Sequence, residues 1–146
     1  MSTAKQVLDQ AVEAFNAKDE ARFLALARSD VDLPAPGGLN FHGLDGFRQW
    51  YRLWTEAFPD RKVQYHNVVS DDSQMIGEGT FRGTHTGVLR LPTGEVPPTG
   101  KSVTIDYVAV QRVDDGKITY LRHYLDTMEL MTQLGLVGAE AQQGVS

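Results

Sequence analysis

The period of the apolar residues changes near Asp60, and this change constrains the fold more than any other feature. Beyond Asp60 the chain is rich in Val, Ile, Thr, Tyr and Phe, the residues that favour strands. They concentrate in four segments, 62–70, 74–82, 101–113 and 117–125. Turn residues separate the segments, and Asp114-Asp115-Gly116 predicts a short hairpin turn because Asp-Gly tolerates positive φ. Strands joined so closely must pair antiparallel, since parallel pairing needs a long crossover. We therefore predict an antiparallel β-meander.

The part of the chain before Asp60 has the helical period instead. Thr3 and Gln6 have the spacing of a capping box, and apolar residues then recur along one helical face. A second helix is predicted from about Asp19. Its predicted buried side consists of Phe23, Leu24 and Ala27. Extended residues 31–33 follow, and the proline- and glycine-rich segment 34–38 predicts a loop.

A third helix is predicted from near Leu44 to the stop at Pro59-Asp60. One face of it carries an aromatic stripe, Phe47, Trp50, Tyr51, Trp54 and Phe58. We expect this stripe mainly to pack in the core, but a ligand cavity also needs apolar walls. A last short helix is predicted from Asp126 and ends before Gly135. Helices first and strands afterwards predict an α+β fold.

Composition narrows the class of protein. With 146 residues the chain matches a single domain, predicted over residues 1–138, followed by a flexible tail at 139–146. A net charge of −5 without a basic run disfavours nucleic acid as a partner, because phosphates need clustered Lys and Arg. No stretch approaches the roughly 20 apolar residues of a membrane span. There are no cysteines for disulfides or thiolate sites. We expect a cytoplasmic protein that does not contact a membrane.

Four short segments carry a family pattern. They are Trp54-Thr55-Glu56-Ala57-Phe58-Pro59-Asp60, Gly83-Thr84-His85-Thr86-Gly87, Pro97-Pro98-Thr99-Gly100-Lys101, and Asp115-Gly116-Lys117-Ile118 leading to Gln133-Leu134-Gly135. In order and spacing they resemble the SnoaL-like polyketide cyclase family, within the nuclear-transport-factor-2-like superfamily. The resemblance extends from about Val7 to Gly135.

This resemblance implies a strongly curved antiparallel sheet that N-terminal helices close into a cone around an internal pocket. It also implies a homodimer that forms through the outer face of the sheet. The family's cyclases close a ring by intramolecular aldol condensation, without a metal or an organic cofactor. In those cyclases an Asp on the last strand acts as the acid/base.

The four polar cyclase positions are all replaced in this chain. Counted back from Gln133-Leu134-Gly135, the Asp position falls on His123. The Gln and His positions of the preceding strand fall on Tyr107 and Ala109, and the Asn position falls on Leu33. The resemblance therefore implies the fold of the family but not its mechanism.

His123 and Tyr107 are the candidate catalytic residues. Histidine titrates near neutral pH, so His123 can accept and return a proton, and the family register places it in the pocket with Leu121 and Thr119. Tyr107 can donate a hydrogen bond to a carbonyl or a developing enolate. Our hypothesis is that His123 abstracts a proton next to a carbonyl while Tyr107 stabilises the oxyanion; the alternative is a histidine that only donates a hydrogen bond. The residues predicted to bind the substrate are Leu33, Tyr51, Trp54, Ala109 and Leu121.

The other polar residues have simpler explanations. Asp106 is next to Tyr107 and is predicted on the outer face of the strand, with an interface or pocket role as the alternative. Asp126 is predicted to cap the last helix, although family members often have an Asp there. His85 is expected to be structural, His42 to lie at a helix entry and His66 to be exposed. The histidines lack metal-ligand spacing and there is no phosphate-binding glycine motif, so neither a metal nor an organic cofactor is predicted.

These observations leave three functions open. The first is a cofactor-independent cyclase, isomerase or lyase that acts on a small hydrophobic carbonyl compound. The second is a binding protein for a small apolar ligand, which the apolar residues Leu33 and Ala109 favour. The third is a structural dimerising module. We favour the enzyme, because His123 and Tyr107 are predicted to share one apolar pocket.

Overall fold

The computed structural model describes residues 2–137. The tail predicted at 139–146 and the predicted domain end at 138 lie outside the described residues. The helices in this part of the chain are α1 Ala4–Asn16, α2 Glu20–Leu24, α3 Gly43–Ala57 and α4 Thr127–Gln133. The strands are β1 Ala27–Ala35, β2 Leu39–His42, β3 Lys62–Ser70, β4 Gln74–Thr84, β5 Leu89–Leu91, β6 Gly94–Val96, β7 Ser102–Asp114 and β8 Lys117–Leu125. None of the described helices is long and apolar enough to span a membrane.

Six of the strands form one sheet in the order β2-β1-β8-β7-β4-β3. Strands β3, β4, β7 and β8 pair antiparallel, as the predicted meander requires. Strand β1 lies beside β8 and runs parallel to it, while β5 and β6 pair only with each other. The α+β fold is therefore confirmed, with a sheet that is mixed and mostly antiparallel. The parallel pair is possible because most of the chain separates β1 from β8 and serves as the crossover.

Helices α1 and α3 pack on the sheet and close its inner face. Helix α1 begins with the predicted capping box: Thr3 Oγ1 accepts a hydrogen bond from Gln6 N–H (3.3 Å), and Gln6 Oε1 accepts one from Thr3 N–H (2.9 Å). Its apolar face is buried against β3, β4 and β7. Helix α3 packs on β1 and β2. The space between these helices and the sheet holds the core and the cavity described below.

Glycines on the inner face of β4 let aromatic side chains approach that strand closely. A Cβ added at Gly83 would lie 2.9 Å from Cβ of Phe58, and one at Gly79 would lie 2.9 Å from Cζ and Oη of Tyr107. Both distances are too short for real contacts. Gly83 therefore accommodates Phe58, the residue that follows α3, and Gly79 accommodates the ring of Tyr107.

Several local predictions need correction. The second helix ends at Leu24, and Ala27 begins β1 instead of belonging to that helix. Strand β1 extends to Ala35 and so includes part of the predicted loop. Strand β2 and the β5–β6 hairpin were not expected, because strands of three or four residues carry too few side chains to show a period.

A bulge in β8 changes which side chains face inward. Arg112 pairs with Tyr120 and Val113 pairs with Ile118, so Thr119 is left without a partner in β7. A β-bulge of this kind shifts the alternation of the strand by one residue. Ile118 therefore lines the cavity in place of Thr119, which the family register had placed there.

Candidate functional site

A cavity of about 350 Å³ lies between the inner face of the sheet and helices α1, α3 and α4. This volume falls in the range of small-molecule sites. The lining side chains are mainly aliphatic and aromatic, and the described lining includes no Asp, Glu, Lys or Arg. The polar lining side chains are Trp50, Trp54, Tyr65, Thr93, Tyr107, Gln111, His123 and Thr127. Such a cavity suits an uncharged organic ligand, because a buried ion would have no partner.

One end of the cavity opens to solvent and the other is closed. The lining residues that are exposed are Pro36 and Gly37 after β1, Thr93 in the β5–β6 turn and Thr127 at the start of α4. These three segments form the rim. At the opposite end the lining residues of β7 and β8 are Gln111, Leu121 and Ile118, and all three are buried. A ligand would enter past the rim and extend towards Gln111.

His123 and Tyr107 lie next to each other in the cavity. Their ring centroids are 5.2 Å apart at an interplanar angle of 61°. On the other side His123 stacks on Trp50 of α3, with centroids 5.1 Å apart and an angle of 14°. Tyr107 in turn contacts Tyr65 of β3 edge to face at 5.6 Å. The four rings form an aromatic cluster, Trp50–His123–Tyr107–Tyr65, that presents several hydrogen-bonding groups to an otherwise apolar cavity.

Burial keeps His123 uncharged. The apolar surroundings lower its pKa from the ordinary value of 6.5 to about 4, because the imidazolium would lose its hydration without gaining a carboxylate. Nδ1 is buried without a hydrogen-bond partner, so Nε2 is the nitrogen that remains available to a ligand. The neutral ring can therefore accept or donate one hydrogen bond at Nε2 over the whole physiological pH range.

Burial also keeps the two tyrosines protonated. It raises the pKa of Tyr107 to about 12 and raises the pKa of Tyr65 well above its ordinary value of 10. Both hydroxyls are therefore donors at neutral pH. The cluster can supply hydrogen bonds to an oxygen on which negative charge develops, without holding a fixed charge of its own.

Three of the five predicted substrate-binding residues line the cavity, and two do not. Leu33, Trp54 and Leu121 line the cavity. Tyr51 does not: its hydroxyl accepts a hydrogen bond from Nη2 of the buried Arg61 at 3.1 Å, and its ring packs in the core. Ala109 is fully buried opposite His123 and is also absent from the cavity lining.

Three lining residues were not singled out from the sequence as site residues. Trp50 was assigned to the stripe of α3 and is the residue on which His123 stacks. Tyr65 and Gln111 lie on the inner faces of β3 and β7. The period of two would have found both, since Gln111 is two residues beyond Ala109, and Tyr65 alternates with Gln64 and His66.

Asp106 and Asp126 lie where the sequence suggests. Asp106 is exposed on the outer face of β7 and accepts a hydrogen bond from Thr80 Oγ1 at 2.7 Å. Asp126 is the N-cap of α4, and its Oδ1 accepts a hydrogen bond from Glu129 N–H at 3.1 Å. Neither carboxylate lines the cavity.

The remaining histidines lie outside the cavity. His85 is fully buried, and its Nδ1 accepts a hydrogen bond from Thr99 N–H at 3.2 Å, which ties the loop before β7 to the end of β4. Burial lowers the pKa of His85. His42 and His66 are exposed, with His42 at the N-cap of α3. Residues 2–137 contain no group of three His, Asp or Glu side chains placed to hold a metal ion.

Comparison with known proteins agrees with the resemblance in the sequence. The model of the SnoaL-like polyketide cyclase family matches residues 5–134. No curated protein matches the chain. Similar solved structures include TsrD from Streptomyces laurentii, with a TM-score of 0.75 and 20% identity over 91% of this chain and 95% of that one.

Two further structures belong to candidate polyketide cyclases. IdmH from Streptomyces antibioticus has a TM-score of 0.73 and 24% identity over 90% of this chain and 97% of its own. A SnoaL-like protein from Jannaschia sp. CCS1 has a TM-score of 0.74 and 17% identity over 89% of this chain and 92% of its own. Identities this low show a shared fold. Because the family model matches residues 5–134 of the 146 in this chain, the chain belongs to the SnoaL-like polyketide cyclase family.

Proposed function

We propose that the protein is a cofactor-independent enzyme that carries out acid/base chemistry of cyclase, isomerase or lyase type on a small, uncharged, hydrophobic carbonyl compound. One observation carries the proposal: the rings of His123 and Tyr107 lie 5.2 Å apart inside a cavity whose other walls are largely apolar. Membership of the SnoaL-like polyketide cyclase family supports the same class of reaction.

In the proposed reaction, Nε2 of neutral His123 takes a proton from the carbon next to the substrate carbonyl. The electrons of the broken C–H bond form the enolate, and Tyr107 donates a hydrogen bond to its oxygen. In a cyclisation the enolate carbon attacks a second carbonyl carbon, and the alkoxide oxygen that forms takes the proton back from Nε2 of His123. In an isomerisation Nε2 returns the proton to a different carbon of the delocalised enolate. A base whose conjugate acid has a pKa of about 4 is weak. The substrate proton must therefore be acidic, as it is between two carbonyl groups.

The cavity also restricts the charge of the substrate. A carboxylate or ammonium group bound inside would lose its hydration, and the described lining offers it no counter-ion. Leu33, Trp54 and Leu121 supply apolar contact area, and Trp50 holds His123 by stacking. We therefore expect esters and ketones to be accepted and the corresponding acids to be rejected.

Turnover of aromatic 1,3-dicarbonyl compounds tests this proposal. We expect His123→Ala and Tyr107→Phe to lower kcat/KM by about 10²-fold or more, the usual contribution of an acid/base group. Asp106→Asn, next to Tyr107 but on the outer face, is the matched control and should retain activity. Because the neutral ring is the active form, kcat/KM should stay constant down to about pH 5 and fall near pH 4.

Two results would contradict the enzyme proposal. Wild-type rates in His123→Ala would remove His123 from the chemistry. Saturable binding of these compounds without any conversion would instead favour the binding-protein hypothesis.

We also propose a homodimer that forms through the outer face of the sheet. Val69, Ile76 and Tyr124 are exposed there to 71%, 43% and 51%, and Val69 pairs directly with Ile76 across β3 and β4. Apolar side chains grouped on one sheet face favour burial against another protein surface. Sedimentation should give a dimer for the wild type and a monomer for Val69→Glu/Ile76→Lys; a monomeric wild type would refute this part. Cytoplasmic location stays a prediction from the composition.

A further inference from the structure

Gln111 is a polar residue at the closed end of the cavity that the proposed reaction does not use. It lies on the inner face of β7, is 1% exposed and lines the cavity. Its neighbours across the adjacent strands are the apolar Met75 and Leu121. A primary amide in such surroundings is costly unless both its donor and its acceptor are satisfied.

One half of this amide is satisfied by the protein. Nε2 of Gln111 donates a hydrogen bond to the backbone carbonyl oxygen of Ala4, at 3.2 Å, in the first turn of α1. A carbonyl oxygen only accepts, so the NH2 group must be the one that faces Ala4. This contact fixes the orientation of the amide and turns the acceptor, Oε1, to the other side.

The other half of the amide has no hydrogen-bond partner among the described residues. No other described residue donates a hydrogen bond to Oε1. Nδ1 of His123 and Nε2 of His85 are fully buried without a partner, whereas Oε1 of Gln111 is not one of these fully buried atoms. Gln111 lines the cavity, and we infer that Oε1 is the atom it presents there because its NH2 group faces Ala4. An oriented, unpaired acceptor at the end of an apolar cavity is suited to a ligand group that donates a hydrogen bond.

The position of Gln111 sets the length of that ligand. Gln111 and Tyr107 are four residues apart on the same face of β7, which separates their Cα atoms by roughly 13 Å. The residue between them on this face is the small Ala109. His123 lies opposite Ala109 on β8, and Leu121 lies opposite Gln111. The cavity therefore has two polar regions, the aromatic cluster with His123 and Tyr107 nearer the rim and Gln111 at the closed end.

We propose that Gln111 determines specificity by accepting a hydrogen bond from a hydroxyl group at the end of the substrate remote from the reacting carbonyl. The substrate class is then an elongated, uncharged aromatic compound with a carbonyl at one end and a phenol or enol hydroxyl at the other. The inference rests on the proposed function only in that it assigns the carbonyl end to His123 and Tyr107. A ligand without the hydroxyl leaves Oε1 dehydrated and unpaired, which weakens binding on the order of 10- to 100-fold.

Three matched naphthalenes test this specificity. 6-Acetyl-2-naphthol carries both groups, 2-acetylnaphthalene lacks the hydroxyl, and 2-acetyl-6-methoxynaphthalene replaces the donor with an ether. Their dissociation constants can be measured by fluorescence titration at about pH 6, where the naphthol is uncharged. We expect the wild type to bind the naphthol about 10- to 100-fold more tightly than either analogue, and Gln111→Met to lose this preference.

Gln133→Leu is the control for a purely structural role. Gln133 also joins a helix to β7, since its Nε2 donates to Thr104 O at 3.0 Å and its Oε1 accepts from Thr104 N–H at 2.8 Å, but it does not line the cavity. Both substitutions should lower thermal stability, and only Gln111→Met should remove the preference. If Gln111→Met does not fold, the side-chain amide resonance of Gln111 in the wild type should shift with the naphthol and not with its analogues.

The outcomes separate this inference from the proposed enzyme activity. A wild type without preference for the naphthol, a Gln111→Met protein that keeps the preference, or failure of all three compounds to bind would each overturn the role of Gln111. A preference that persists in His123→Ala, together with unchanged turnover there, would refute the catalytic proposal and leave the role of Gln111 intact.

Discussion

Replacing His123 with Phe should change how the stability of this protein depends on pH. In the native state the apolar cavity lowers the pKa of His123 to about 4, whereas in the unfolded chain the ordinary value of about 6.5 applies. Between these two values the unfolded state binds a proton that the native state does not. The contribution of His123 to stability is therefore fully present above about pH 6.5 and is lost as the pH falls towards 4.

The size of this effect follows from the two pKa values. At pH 5 the unfolded histidine is almost fully protonated and the native one is almost neutral, so His123 alone should lower the unfolding free energy of the wild type by about 2 kcal/mol relative to pH 7.5. Phe retains the stacking on Trp50 and removes the unpaired Nδ1, so His123→Phe should fold and lack this loss.

Urea unfolding at pH 7.5, 6 and 5 measures the difference. His85 also has a pKa lowered by burial, but it is present in both proteins, so comparison of wild type with His123→Phe isolates His123. His66→Gln, at an exposed histidine, controls for the loss of any one histidine. Parallel pH dependences for wild type and His123→Phe would show that the cavity does not desolvate the imidazole, and the argument for a neutral His123 would fail.

Three further substitutions test individual contacts. Asp126→Ala removes the N-cap of α4 and should lower the unfolding free energy by about 1 kcal/mol without changing turnover; lost turnover at unchanged stability would contradict a capping role. Gly79→Ala places a Cβ 2.9 Å from the Tyr107 hydroxyl, so the ring of Tyr107 must move. Affinity for 6-acetyl-2-naphthol, measured by fluorescence titration, should then fall about tenfold. Unchanged affinity would refute the close approach of the Tyr107 ring to Gly79. Tyr51→Phe leaves an Arg61 donor unpaired and should lower the unfolding free energy by about 1–3 kcal/mol, measured by urea unfolding. Ligand affinity should stay the same because Tyr51 does not line the cavity, and reduced affinity would contradict that placement.

Much of the fold follows from signals that act over a few residues. The bounds expected for β3 and β8 coincide with the observed strands, because alternation and the flanking turn residues are both local. The caps formed by Thr3 and Asp126 were predictable for the same reason, since a cap needs only a side-chain oxygen and a backbone N–H two or three residues on. The inward placement of Tyr107 and the outward placement of Asp106 follow from alternation alone.

Contacts between distant segments account for what the sequence did not indicate. The parallel pairing of β1 with β8 joins residues about ninety positions apart, and no local pattern encodes such a pair. The bulge that exchanges Thr119 for Ile118 arises from how β8 is accommodated beside β7. Tyr51 and Trp50 are neighbours on α3. Only the packing around this helix determines that Tyr51 accepts a hydrogen bond from Arg61 and that Trp50 stacks on His123.

The sequence by itself thus determined the helices, the four long strands of the meander and their order, and it predicted a pocket that contains His123 and Tyr107. The tertiary structure alone decided the electrostatic state of that pocket. His123 is neutral because apolar side chains from α3, β7 and β8 surround it, and desolvation depends on everything packed around a group rather than on its neighbours in the chain. The free acceptor of Gln111 has the same origin, since the carbonyl of Ala4, 107 positions away, holds its amide in place.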